Sequence, residues 1–276
     1  GCKPAVEKEP TAAMEPPPAM TEPVEAAPTV EAEPETQHAA VHWGYTGDEA
    51  PEHWAELSPE FSACGEGRRQ SPIDLTGAVS GQGDRVAREF GKTFLSIEAR
   101  ERVLDVVDNG HTIQIGSNAE MSLRVGDKAY ELVQYHFHAP SEHTIDGKHS
   151  PLEAHFVHES ADGELAVASV LIEEGGSSPF LEGIVANLPS GPDDPRHIEA
   201  PSLTEEILSA LPEGYYRYEG SLTTPPCTEN VHWFVSRDYY SASPEQISAL
   251  SSLLHDNNRP VQPLNDRVLA VVDIEE

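Results

Sequence analysis

From Val41 onward the chain is written in short apolar alternations broken by turn residues, and a period of two leaves it little choice but to build sheet. Such alternation over 93–98, 102–107, 112–115, 131–138, 153–158, 165–172, 215–219 and 231–235 reads as strands. Asp108-Asn109-Gly110 and Gly126-Asp127-Lys128 punctuate them as turns. Helices are minor. The clearest spans 243–254, where Ser243 precedes Pro244 at the first helical position and Gln246 stands three residues after the cap. Shorter helices are expected over 180–188 and 204–211. The chain shows no internal repeat, so the fold class is mainly β, a single domain over 41–276.

The first 40 residues are a different text. They carry eight of the 24 prolines and eight glutamates, with no aromatic residue. Such a segment cannot bury enough apolar surface to offset its chain entropy, so residues 1–40 are read as a disordered, extended tether. The whole chain has 48 acids against 17 bases and a formal net charge of −31. That surface repels nucleic acid and argues against polyanionic partners. The bases divide into 12 arginines and five lysines, a lysine-poor, acid-rich balance that suits solubility in strong salt. A thermal melt unchanged between low and molar salt would remove that reading. No run of about 18 apolar residues is present to span a membrane.

Three cysteines, Cys2, Cys64 and Cys227, form neither a CxxC pair nor a zinc-finger spacing. An odd count in an exported protein suggests one disulfide and one cysteine with another fate. Gly1-Cys2, followed by a polar stretch, resembles the end of a bacterial lipobox, in which the cysteine is lipidated and tethers the protein to a membrane. An ordinary free thiol is the alternative.

Two strands carry the chemistry. In Gln134-Tyr-His136-Phe-His138, alternation puts Gln134, His136 and His138 on one face; Glu153-Ala-His155-Phe-Val157 does the same for Glu153 and His155. If the strands are neighbours, three imidazoles converge, a set that suits a tetrahedral Zn²⁺ with water in its fourth position. Gln134 and Glu153 stand where the second ring nitrogen of a ligating histidine needs an anchor. Spacing alone leaves open a group of satisfied strand histidines. It also leaves open the cupin half-motif His136-Phe-His138-Ala-Pro-Ser-Glu142, in which Glu142 is a ligand, although no second cupin motif follows.

The runs Arg69-Gln-Ser-Pro-Ile-Asp74, Asp108-Asn-Gly-His-Thr112, Gln134-Tyr-His-Phe-His138, Ser141-Glu-His-Thr144, Glu153-Ala-His-Phe-Val157, Gly220-Ser-Leu-Thr-Thr-Pro-Pro226 and Asn258-Arg-Pro-Val-Gln-Pro263 together resemble the α-carbonic anhydrases. They come in the family's order and span about Trp43 to Arg267. The resemblance implies a central, mostly antiparallel, twisted sheet of about ten strands with a few short peripheral helices, and zinc at the bottom of a conical cleft. It implies reversible hydration of carbon dioxide to bicarbonate and a proton, by zinc-hydroxide attack with histidine-mediated proton transfer. Zn²⁺ is then the cofactor.

Position by position, the resemblance makes His136, His138 and His155 the zinc ligands. Gln134, Glu153 and the backbone carbonyl of Asn257 become their anchors. Thr223 resembles the gatekeeper, its hydroxyl proton directed to Glu142, and Thr224 neighbours bicarbonate. His111 resembles the proton shuttle, with Tyr45, Asn109 and Gln114 lining a water network. Val157, Val167, Leu222 and Trp233 match the apolar wall where carbon dioxide docks; an uncharged, apolar substrate suits such a wall. His143, His158 and His232 read as structural or surface groups. Cys64 and Cys227 match the paired cysteines of secreted members; closing so long a loop stabilises by roughly 4–5 kcal/mol in the chain-entropy model. An oxidising, extracytoplasmic location follows, periplasm or cell surface, and bacterial relatives imply a homodimer. The alternative within the family is a binding module that has lost catalysis.

Overall fold

The computed structural model describes residues 41–80, 95–100, 104–117, 120–198 and 214–273. The tether over 1–40 and the helix expected over 204–211 lie outside these residues. In chain order the first strands are β1 (Val79–Ser80), β2 (Leu95–Arg100), β3 (Leu104–Asp108), β4 (Ile113–Ser117), β5 (Glu120–Val125) and β6 (Lys128–His138). Next come β7 (Thr144–Ile145), β8 (Lys148–His149), β9 (Leu152–Ser160), β10 (Leu165–Glu174) and β11 (Arg196–Ile198). The last are β12 (Gly214–Ser221), β13 (Glu229–Ser236), β14 (Tyr240–Ala242) and β15 (Ala270–Asp273). Among the described residues the α-helices are α1 (Trp54–Leu57), α2 (Ala63–Glu66), α3 (Pro179–Val185) and α4 (Pro244–Leu254).

Among the described residues thirteen strands form one sheet, and its main path runs β1-β15-β12-β13-β10-β9-β6-β4-β3-β11. The sheet is mostly antiparallel, as expected, but mixed: β1 with β15, β10 with β13 and β10 with β14 pair in parallel. β10 sits between β9 and β13 and is buried on both sides, which explains why Leu165–Glu174 reads as a nearly unbroken apolar run rather than an alternation.

The sheet's two faces have separate cores. Tyr135, Phe137, Ala154 and Phe156 point to one face and pack with Phe180, Leu181 and Ile184 of α3 and Leu250 and Leu254 of α4. Truncating one of these aromatics to alanine costs about 3–5 kcal/mol. Ile73, Val167, Leu171, Tyr218, Val231 and Trp233 fill the other. Because side chains alternate, burying Tyr135, Phe137, Ala154 and Phe156 on the first face forces Gln134, His136, His138, Glu153 and His155 onto the second. Packing of one face thus places the chemistry of the other.

α4 has the predicted capping box: the Ser243 side chain accepts from Gln246 N–H, and Gln246 Oε1 accepts from Ser243 N–H at 3.0 Å. The Gln246 amide also takes both backbone groups of Ser178, the cap of α3, so the two helices lock together. His255 and Asp256 then adopt positive φ, 52° and 56°, and turn the chain back toward the sheet at Asn257.

Candidate metal centre

β6 and β9 pair antiparallel with His136 directly opposite His155 and His138 opposite Glu153. Nitrogens of His136, His138 and His155 lie within 4.8 Å of one another. In each ring one nitrogen is committed elsewhere. His136 Nδ1 donates to Gln134 Oε1 at 2.8 Å, and His138 Nδ1 to the Asn257 carbonyl at 2.7 Å. His155 Nε2 donates to Glu153 Oε1 at 2.9 Å. The rings therefore face one another through Nε2, Nε2 and Nδ1. His138 Nε2 is buried without a hydrogen-bond partner, a costly state unless that lone pair serves a ligand. Three neutral imidazoles with anchored outer nitrogens fit a zinc ion.

Burial keeps these rings neutral. It depresses His136 well below the usual histidine range, with help from His138 and His155, and His138 to about 4. His155 is likewise lowered by burial, against the pull of Glu153. For Glu153, burial would raise the pKa, but His143 and His155 outweigh it and hold the carboxylate ionised.

Glu153 also does more than its place two residues before His155 suggested. Oε1 accepts from His155, from His143 Nδ1 at 2.7 Å and from the Ser169 hydroxyl. Oε2 accepts from the backbone N–H groups of Glu142 (2.8 Å) and His143 (2.9 Å). His143 in turn meets the Tyr218 hydroxyl at 2.6 Å, which donates to Ser71 Oγ. His143, Glu153 and His155 also cluster closely enough to suggest a second metal position, but their facing atoms are spent on one another. Sequence reasoning missed Ser169 and Tyr218. A signal for the first existed: Ser169 is a lone hydroxyl in an apolar run and stands opposite His155 in register.

Glu142 is fully buried beside the imidazoles, Oε2 lying 3.6 Å from His138 Nε2 and 3.8 Å from His155 Nδ1. Its Oε1 accepts from Arg259 N–H at 2.8 Å. Burial pushes its pKa up to about 7, opposed by His155, Arg259 and the Thr223 hydroxyl. Arg259 was not anticipated either. Its guanidinium donates to Gln70 Oε1, Ser71 O and Cys64 O at 2.8 Å each, fixing the segment that carries the Glu142 contact. Cys64 and Cys227 form a disulfide with a sequence separation of 163. Cys227 N–H donates to the Thr224 carbonyl at 2.9 Å, so the bridge holds the turn after Thr223 and Thr224.

The cleft has two halves. One, about 260 Å³, is lined by Val157, Leu165, Val167, Leu222, Thr223 and Trp233 with His155. The other, about 120 Å³, is lined by Trp43, Tyr45, Asn109, His111, Thr112 and Gln114 with His138. Gln134, His136 and Thr224 border both. His111 stacks on Trp43, centroids 3.8 Å apart and rings 7° from parallel. Burial, then His42, lowers its pKa. Asn109 is committed to the turn: Oδ1 accepts from His111 N–H and Thr112 N–H, and Nδ2 donates to Gln114 Oε1. Tyr45 is kept a neutral phenol by burial and the nearby Glu142.

The family model described as eukaryotic-type carbonic anhydrase matches residues 49–272. A carbonic anhydrase of Pectobacterium carotovorum is 41% identical over 231 residues, 83% of this chain and 91% of that protein. The α-carbonic anhydrase of Thermovibrio ammonificans, solved with the inhibitor sulfanilamide, superposes with a TM-score of 0.74 at 40% identity over 85% of this chain and all of its own. Dioscorin in complex with ascorbate superposes at 0.73 with 31% identity, covering 85% of this chain and 99% of its own.

Proposed function

The chain belongs to the eukaryotic-type, or α, carbonic anhydrase family, and we propose that it hydrates carbon dioxide reversibly with a zinc ion held by His136, His138 and His155. The observation that carries this reading is the arrangement of those three rings, each anchored through one nitrogen and turned inward with the other. Zinc bound there supplies a water acidified enough to be hydroxide at neutral pH, an effect for which this family is itself the standard example.

The chain's own residues do the rest. Val157, Val167, Leu222 and Trp233 offer an apolar wall that receives a small uncharged molecule and excludes competing water. Glu142, when ionised, can only accept, so Thr223 must give its proton to it and keep its lone pairs toward the cleft. Thr224 stands at the boundary of the two halves, beside the place where bicarbonate would form. His111 takes a proton at a ring nitrogen from cleft water and passes it to buffer, the task an imidazole performs near neutral pH.

The Cys64–Cys227 bridge supports an oxidising, extracytoplasmic setting. Lipid attachment through Cys2 and a homodimer complete the proposal; intact mass of membrane-extracted protein and sedimentation test them. The central test is stopped-flow hydration of carbon dioxide with metal analysis on the same sample. Turnover with one zinc per chain is expected. Stoichiometric zinc without turnover would instead make the domain a binding module.

A further inference from the structure

We propose that Ser169 is a positioning residue for the metal centre, holding Glu153 over the sheet so that His155 keeps its ring turned toward the zinc position. Ser169 lies on β10 directly opposite His155 of β9, and so diagonal to Glu153 on the same face. Its hydroxyl donates to Glu153 Oε1, the oxygen that also takes His155 Nε2 at 2.9 Å. Ser169 is fully buried, between Val167 and Leu171, which pack into the apolar core around Trp233. A hydroxyl in such a column costs free energy unless it is hydrogen-bonded, and the Glu153 carboxylate is the acceptor it meets.

The side from which that bond comes is what matters. Among the described residues the other donors to Glu153 from outside its own strand are His143 Nδ1 at 2.7 Å, Glu142 N–H at 2.8 Å and His143 N–H at 2.9 Å. All three belong to the segment between β6 and β7. Ser169 is the described donor that comes from a neighbouring strand. Without it the carboxylate would answer to His155 on one side and to that segment on the other, and any shift of the segment would reach the ring. With it, Oε1 is tied to β10, a strand itself paired on both sides, with β9 and with β13. Glu153 then bonds Nε2 of His155 in a fixed direction and leaves Nδ1 for the metal.

This inference rests on the zinc reading. Metal analysis of the parent chain tests that reading first, and an absence of zinc there removes both. With zinc present, Ser169→Ala in the full chain is expected to bind zinc about tenfold more weakly, read by competition with a chelator. Ser160→Ala is the control. It removes another buried strand hydroxyl, bonded to Asp162 at the far end of β9, and should bind zinc as the parent does. Proton NMR of the zinc-loaded chain gives a second readout, which a loss of packing alone would not move. The His155 Nε2–H proton, sheltered by Glu153 in the parent, should exchange with solvent about threefold faster or more in Ser169→Ala. Zinc affinity within about twofold of the parent, an equal weakening in Ser160→Ala, or an unchanged His155 Nε2–H exchange would each overturn the proposal and leave the zinc reading standing.

Discussion

The two halves of the cleft are made of different materials. The apolar half takes Val157 from β9, Leu165 and Val167 from β10 and Trp233 from β13, three adjacent strands buried between neighbours, and is closed by Leu222 and Thr223 from the loop after β12. The polar half takes Trp43 and Tyr45 from the segment before α1 and Asn109, His111 and Thr112 from the β3–β4 turn, set against Gln114 of β4 and His138 of β6. On the proposed function the apolar half receives substrate, and a wall built mostly of strand side chains shares the rigidity of the sheet. The polar half, on the same proposal the proton route, depends more on local bonds such as the Asn109 turn and the Trp43 stack. On that proposal the difference separates where the molecule would exclude water from where it would admit it.

The largest expected effect abolishes both halves at once. His138→Ala should cost activity by a factor on the order of 10⁴ in any buffer, with zinc lost on metal analysis. Next is the bridge that borders both halves through Thr224. Replacing Cys64 and Cys227 with serine should lower unfolding free energy by about 4–5 kcal/mol, read from the denaturant midpoint. Two smaller changes should divide the halves. Val157→Phe intrudes on the apolar side and should lower kcat/KM by about tenfold whatever the buffer. His111→Ala should leave kcat/KM alone and lower kcat by about tenfold in dilute buffer only, with rescue by imidazole. If both variants responded to buffer alike, the division would fail.

The same division governs what the sequence reveals. The proposed ligands and their anchors at Gln134 and Glu153 lie on strands, where alternation assigns a face before any fold is known. α4 is legible from three residues, Ser243, Pro244 and Gln246, because capping is local chemistry. Loop residues are not legible in that way: Tyr45, Asn109, His111 and Asn257 could be singled out only through the resemblance, since no periodicity places a turn residue in space. Least legible are partners that meet across long separations. Tyr218 is 75 residues from His143, and Arg259 reaches Cys64 across 195. Neither strand period nor motif announces such contacts. The parallel pairing of β10 with β13 belongs with them, because pairing direction is set by the path of the intervening chain.

The ring nitrogens carry one more consequence. His136 and His138 are free at Nε2, the far end of the imidazole, whereas His155 is free at Nδ1, the nitrogen next to the stem. The point where the three converge is therefore not midway between their strands. It is displaced toward the backbone of β9, away from β6, and hence toward the wall that β9, β10 and β13 supply. A single choice of which nitrogen Glu153 binds makes the cluster lopsided, and leans it toward the apolar half of the cleft.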